Sequence, residues 1–342
     1  MEGIHLERSC SAGIPEARNV IGSLLRSPPK PMLVAVCLLP FFKFEPATRT
    51  MEESQPSRPI TNLIRAFGRL NRLNYPRFAI QRRLPAVPVG YGAFKDIYGV
   101  KYTGYPSGND HVTKAMFWFG AFDPWVVRTM KLLSGPGATV CDVGANLGDT
   151  SLPLADHVGP KGKVICFEPL PENISRLKAN IDENGFSQVI LCPMALTDKY
   201  TELQLEIVEG QPGMAQITDA PSASRIVSIK GIPFDDWAAE NGIGEVAVCK
   251  IDVQGHELSV LGGMTRMIRE KKMLAFVFEH EGKVDPSEEI FQFFIKNGYN
   301  VYRIENRWFT NVYAKLGETP RARRTFDFVA VIAGSPSEKL LP

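Results

Sequence analysis

The chain has little that would tie it to a metal, a membrane span or a polyanion. Its six cysteines (Cys10, Cys37, Cys141, Cys166, Cys192 and Cys249) never stand two or three residues apart, which excludes a metal knuckle, and no metal site is expected. The last four sit inside apolar, strand-like runs. They read as buried free thiols of a protein kept in a reducing compartment, and the expected location is cytoplasmic. Net charge is only +2, so no global field steers the molecule toward nucleic acid, and no nucleic-acid partner is expected. The apolar run Met32–Phe42 is 11 residues long, whereas a membrane span takes about 20. With 342 residues, 44% apolar and 22% charged, the composition also excludes a collagen, a coiled coil and a disordered chain.

The small net charge hides an asymmetry. Residues 1–137 hold 18 Lys and Arg against 9 Asp and Glu, and residues 138–342 hold 21 against 28, so +9 in front and −7 behind sum to +2. Residues 1–60 are crowded with prolines and show no period. They read as a poorly ordered extension whose 32–44 run is a weak targeting or anchoring candidate, with Met51 opening a more ordinary-looking start. Between Gln55 and Phe94 no acid occurs, and Leu63, Ile64, Phe67, Leu70 and Leu73 recur at helical spacing among arginines. Residues 61–95 are therefore a basic amphipathic appendage. Its 61–83 stretch either touches an anionic membrane surface or packs on the main domain with a solvated basic face.

From residue 96 the pattern is that of one domain, with its core at 138–333. A lead-in segment rich in aromatics (Phe117, Trp118, Phe119, Phe122, Trp125) precedes a helix starting at Asp123-Pro124. Strands then alternate with helices: strands at 138–143, 163–168, 188–192, 246–252 and 273–279, and helices at 147–157, 171–184, 234–241, 257–269 and 286–297. Extra strands are expected at 201–208, 225–229, 299–304 and 325–332. This is an α/β fold with a mostly parallel, doubly covered sheet, whose ligands bind beyond the carboxyl ends of the strands.

Those strand ends carry glycines and acids. The first runs into Asp142-Val143-Gly144-Ala145-Asn146-Leu147-Gly148-Asp149, a loop that lets a ligand approach the backbone. The second ends at Glu168, 20 residues past Gly148, where an acid commonly holds a ribose diol. A dinucleotide loop wants a glycine where Asn146 stands, and Asp142 would repel a pyrophosphate. S-adenosylmethionine, with an ammonium, a sulfonium, a carboxylate and a ribose but no phosphate, suits these residues better. The fourth strand ends at Asp252, followed by Gln254 and Glu257, and the fifth at Glu279-His280-Glu281. Asp252 can hold the cofactor amine or take a hydroxyl proton, and the acid–His–acid run can supply a general base.

The runs VCDVGANLGDT, VICFEPLPENISRLKANIDENG, PMALTD, FDDW, KIDVQGHELSVLGG and FEH closely resemble the FkbM family of S-adenosylmethionine-dependent methyltransferases, over about residues 120–333. The resemblance implies a class I methyltransferase (Rossmann-like) fold of seven strands with the last reversed. It also implies methyl transfer to a hydroxyl oxygen of a sugar or small metabolite. Carried over, Asp142, Gly144, Ala145, Asn146 and Gly148 form the methionine-side loop. Glu168, with Pro169 beside it, takes the ribose; Met194 and Ala195 lie against the adenine; Asp252 lines the reaction site. The family often has Glu where Gln254 stands, which puts a base or metal role there in doubt. Asp252, His280 and Glu257 are the catalytic candidates. A small-molecule or glycan hydroxyl is the expected acceptor. The competing readings are a nucleoside-binding scaffold without catalysis, a nicotinamide dehydrogenase and a methyltransferase acting on a macromolecule.

Overall fold

The computed structural model describes residues 84, 86–87, 93–103, 111–207, 216–217, 225–280, 282, 284–306, 311–317 and 327–341. The extension at 1–60, the basic stretch 61–83, residues 208–215 and 218–224, and Glu281 lie outside the described residues.

A short antiparallel hairpin, β1 (Phe94–Lys95) with β2 (Lys101–Tyr102), leads in. It is followed by α1 (His111–Phe119) and α2 (Pro124–Leu132), with Asp123 before the Pro124 that opens α2. The core then alternates β3 (Thr139–Val143), α3 (Ser151–Val158), β4 (Lys163–Phe167), α4 (Pro171–Asn184) and β5 (Val189–Cys192). A small second sheet comes next: β6 (Ala195–Leu196), β7 (Thr201–Glu206), β8 (Gln216–Ile217) and β9 (Ile226–Ile232), in the order β6-β9-β7-β8. The main sheet resumes with α5 (Phe234–Glu240), β10 (Val248–Ile251), α6 (Glu257–Gly262), α7 (Thr265–Arg269), β11 (Ala275–Glu279) and α8 (Glu289–Lys296). It closes with β12 (Tyr299–Asn306), β13 (Asn311–Lys315) and β14 (Asp327–Ile332).

The main sheet has the order β13-β12-β14-β11-β10-β3-β4-β5. β5, β4, β3, β10 and β11 run parallel, and β14 is antiparallel to both of its neighbours, β11 and β12. This is the class I methyltransferase arrangement with its reversed last strand, extended by β13 as an eighth, edge strand. Strand residues alternate between the faces. Val140, Cys166, Val248, Val277 and Val329 join one core with α1 to α4. Cys141, Ile165, Phe167, Cys249, Phe276, Phe278 and Phe328 join the other with α5 to α8. Both faces are thus covered, and the four cysteines within this core are buried free thiols. The second core is aromatic where α8 docks: the Phe278 and Phe294 rings stack at 4.7 Å.

Two helices differ from expectation, each for a backbone reason. The helix expected from residue 147 starts at Ser151, because Asn146 (φ 48) and Gly148 (φ 92) are left-handed and keep the preceding loop out of the helix. A side chain at Gly148 would also meet Leu177 at 2.7 Å, so this glycine lets α3 and α4 close together. The helix expected over 257–269 is two helices, α6 and α7. The Gly262-Gly263 step between them comes against the Thr197 backbone, where a Cβ on Gly263 would collide. The hairpin β1–β2, helix α1 and strands β6, β8 and β13 add to the elements expected. Tyr102 of β2 is buried in the α1–α4 core and donates its hydroxyl to Gly148 O at 3.3 Å, which seats the lead-in segment on the glycine loop.

Candidate functional site

The candidate site lies at the carboxyl edge of β3, β4, β10 and β11, the edge at which parallel sheets bind their ligands. The loop after β3 is built against its neighbours. Gly144 N and Ala145 N both donate to Phe167 O, and Asn146 N donates to Glu168 Oε2 at 2.8 Å. Gly144 has φ +83, and a Cβ there would run into the Asp252 carbonyl oxygen, so only glycine lets the loop touch the end of β10. Glu168 uses its other oxygen to accept from Leu170 N at 2.9 Å, tying β4 to the start of α4. The carboxyl is only 5% exposed, and burial pushes its pKa up to about 7 against the pull of those backbone bonds.

Asp142 is fully buried behind the loop. Its Oδ2 accepts from Ser151 Oγ at 2.5 Å, and its Oδ1 is 3.5 Å from Lys250 Nζ. Burial raises its pKa, opposed by Lys250. Asp149, beyond Gly148, is raised to about 7 by burial, then lowered in part by Lys250 and raised by Asp142.

Asp252 follows β10, with its N–H on Val143 O. Its Oδ2 is 3.2 Å from Lys250 Nζ, and its Oδ1 accepts from Gln254 Nε2 at 3.1 Å. Burial works against its charge, but Lys250 and Gln254 hold the carboxyl below its ordinary value. The Gln254 amide also donates to Glu279 Oε2 at 3.3 Å. It therefore bridges two carboxylates, a task that a glutamate there could not perform. Glu279 lies in register with Asp327 at the start of β14. Asp327 accepts from Trp125 Nε1 at 2.6 Å and is raised to about 6 by burial. Asp123, before α2, is pushed well up by burial and by Asp327, Asp149, Asp252 and Glu279.

The expected residues do not all gather around one point. Asp142, Gly144, Ala145, Asn146, Gly148, Glu168 and Asp252 form one connected corner. Ala145 is buried beneath it, and Pro169 follows Glu168 at its rim. Met194 N donates to Cys192 O past β5, and Ala195 opens β6. Glu257 turns back on its own loop and accepts from Gly255 N at 3.0 Å, closing the 253–255 turn. The His280 ring packs edge-on against Phe291 at 5.0 Å. Asp149 of the glycine-loop motif and Glu279 of the acid–His–acid run complete the corner with Lys250, Asp327 and Asp123, three residues that the sequence did not mark as part of a site. A lysine inside an otherwise apolar strand, VCKI, was the signal for one of them; Asp327 comes from 75 residues beyond Asp252 and had none.

Asp142, Asp149 and Asp252 face Lys250 as their cationic partner, while Glu168 is held by the backbone N–H groups of Asn146 and Leu170. This donor set suits a ligand that brings positive charge and a diol, and opposes one that brings phosphate. Among the described residues, no three His, Cys, Asp or Glu side chains group to hold a metal ion, and no helix is long and apolar enough to cross a membrane.

Residues 142–301 match the family model described as the methyltransferase FkbM domain. Two relatives are similar. "Hexuronic acid methyltransferase AglP" of Haloferax volcanii is 30% identical over 163 residues, 48% of this chain and 64% of that one. "2-O-methyltransferase NoeI" of Sinorhizobium fredii is 25% identical over 152 residues, 40% of this chain and 61% of that one. The chain thus spans less than two thirds of either relative. Among solved structures, a precorrin-6y C5,15-methyltransferase from Geobacter metallireducens is 11% identical, covers 61% of this chain and 89% of its own, and has a TM-score of 0.34, a loose likeness from which nothing is carried over.

Proposed function

We propose that the protein, whose residues 142–301 match the methyltransferase FkbM domain model, is a methyltransferase of that family that transfers a methyl group from S-adenosylmethionine to a hydroxyl oxygen of a sugar or small metabolite. The observation that carries this reading is Asp252: a carboxylate held below its ordinary pKa, 26% exposed, touching the glycine loop on one side and Glu279 through Gln254 on the other. The relatives' names, a hexuronic acid methyltransferase and a 2-O-methyltransferase, support a sugar hydroxyl as the acceptor.

In this reading Glu168 holds the ribose diol. Asp149 faces the methionine amine, Met194 and Ala195 border the adenine, and the loop from Gly144 to Gly148 shapes the methionine end. When bound, S-adenosylmethionine supplies a methyl carbon on a sulfonium, whose departure leaves S-adenosylhomocysteine. Asp252 accepts the hydroxyl proton as the acceptor oxygen gains its bond to carbon. An alcohol is a far weaker acid than a carboxylic acid, so Asp252 works by being placed and ionised rather than by being strongly basic. Glu257 supports Asp252 by fixing the turn that follows it, and His280 belongs to the acceptor side of the same edge. The test is release of S-adenosylhomocysteine on incubation with a panel of neutral sugars, amino sugars, hexuronic acids and small alcohols. Release that depends on one acceptor class supports the proposal; a panel without release above the acceptor-free rate overturns it.

Cofactor binding should also be linked to protons, with a definite sign. Glu168 and Asp149 have pKa values raised to about 7, so at pH 6 the free protein holds them largely protonated. A cationic ligand favours their ionised forms and drives protons off. Binding at pH 6 should therefore release protons, and affinity should rise from pH 5 to pH 7. Calorimetry in two buffers of different ionisation enthalpy measures this; proton uptake on binding would contradict the assignment.

A further inference from the structure

Lys250 has no role in the site so far except as a neighbour. We infer that it is a positioning residue of the active site: its ammonium pins the Asp252 carboxylate beside the glycine loop and supplies the positive charge that lets Asp142 and Asp252 stand together as anions. The inference rests on the methyltransferase reading and deepens it.

The geometry follows from strand alternation and register. Lys250 pairs with Asp142 across the β10–β3 ladder, and Asp252 is two residues on, on the same face of the strand. One side chain therefore reaches both acids, at 3.5 Å from Asp142 Oδ1 and 3.2 Å from Asp252 Oδ2, and also reaches Gly144 O at 3.5 Å. The other three residues of β10, Val248, Cys249 and Ile251, are apolar and buried. Lys250 is 7% exposed, and burying an ammonium there is costly without its partners. Packing alone would favour an apolar residue at this position, so its charge is better explained by the two acids it serves.

The charge balance fits the reaction. With both carboxyls ionised, Asp142, Asp252 and Lys250 together carry −1. S-adenosylmethionine carries an amine, a sulfonium and a carboxylate, or +1. One unit of positive charge leaves the sulfonium as the methyl moves.

The remaining groups that act on Asp252 are acids, with Gln254 as the neutral donor. Glu279 reaches it from β11 and Asp327 from β14. Asp142 lies on β3, Asp149 in the loop after it, and Asp123 before α2. Removing the ammonium takes away the cation beside Asp252 and leaves only the Gln254 and Glu279 hydrogen bonds to oppose its burial, which disfavours its ionised form.

The experiment uses the full chain with Lys250→Met, Lys250→Arg, Asp252→Asn and the Lys250→Met/Asp252→Asn pair. It reads kcat against pH, KM for both substrates, and the far-ultraviolet dichroism melt. Lys250→Met should lower kcat about 100-fold at neutral pH and move the acid limb of its pH profile upward by about 2 units. Lys250→Arg should recover most of kcat with the limb in place. Adding Lys250→Met to Asp252→Asn should cost little further turnover, because the lysine acts through that carboxylate. A folded Lys250→Met with near-normal kcat and an unmoved limb overturns the inference, as do fully additive losses in the double variant. If Lys250→Met does not fold, Lys250→Arg decides: a native melt with a limb displaced as for charge loss overturns it, and a retained limb supports it. Wild type without turnover on any acceptor overturns the methyltransferase reading and this one with it; wild-type turnover with an unmoved Lys250→Met limb overturns this one alone.

Discussion

Replacing Glu168 by alanine is expected to weaken S-adenosylmethionine binding by at least about 100-fold, measured by calorimetry on a chain that still melts cooperatively. The size follows from what the carboxylate does. It accepts one backbone N–H from the glycine loop and one from the start of α4. Each hydrogen bond to a charged group contributes about 1.5–3 kcal/mol, and each 1.4 kcal/mol is a factor of about ten in affinity. Losing both frees Asn146 from the position that orders the loop, and removes the proposed acceptor for the ribose hydroxyls. Glu168→Gln keeps the shape but puts a donor against one of the two N–H groups, so its affinity should fall between wild type and alanine. Unchanged affinity in both variants would remove Glu168 from the cofactor site. Asp142 is a poorer probe, although it stands in the same motif. Its carboxyl is spent on Ser151 and Lys250 inside the core, so its removal disturbs folding and binding together.

The grouping of the glycine loop with Glu168 was legible in the sequence because its parts are local. The loop from Asp142 to Gly148 and the acid Glu168 belong to consecutive strands, and periodicity placed both at carboxyl ends. The parallel strands were legible for the same reason: apolar runs such as KVICF bounded by glycine and proline leave few alternatives. What escaped is non-local. The pairing of Asp327 with Glu279, and the Trp125 bond that fixes Asp327, join residues up to 202 positions apart. No spacing rule reaches that far. The break between α6 and α7 depends on where the Thr197 backbone passes, which is also a tertiary fact. Gln254 is the instructive case. As a departure from the family pattern it suggested a lost carboxylate. In the structure its amide joins Asp252 to Glu279, at a backbone position (φ 54) that non-glycine residues seldom adopt. Whether a side chain is an absence or a link depends on which neighbours the fold brings to it.

Asp252→Asn should lower kcat by about 100- to 10,000-fold, the span for loss of a positioned general base, while S-adenosylmethionine affinity changes by less than about tenfold. The substitution preserves volume. It leaves Lys250 paired with Asp142, so the ammonium is not orphaned and the fold should persist. The separation of kcat from affinity is the informative part, because the proposed cofactor acids and the proposed base occupy different pH ranges. Glu168 and Asp149 titrate near 7, and Asp327 near 6. Asp252 is held below the usual carboxylate range. As a group with a depressed pKa it stays ionised as pH falls through 6 and 5, and loses its charge only below its ordinary value. In wild type, then, kcat/KM for S-adenosylmethionine should fall between pH 7 and pH 5 as the cofactor acids protonate. The kcat at saturation should hold until the solution is more acidic, because Lys250 guards the base. Near-wild-type turnover in Asp252→Asn would move the proton to another acceptor. The two groups then to be tested are the neighbours on β11 and just past it, Glu279 through Gln254 and the His280 ring beside Phe291.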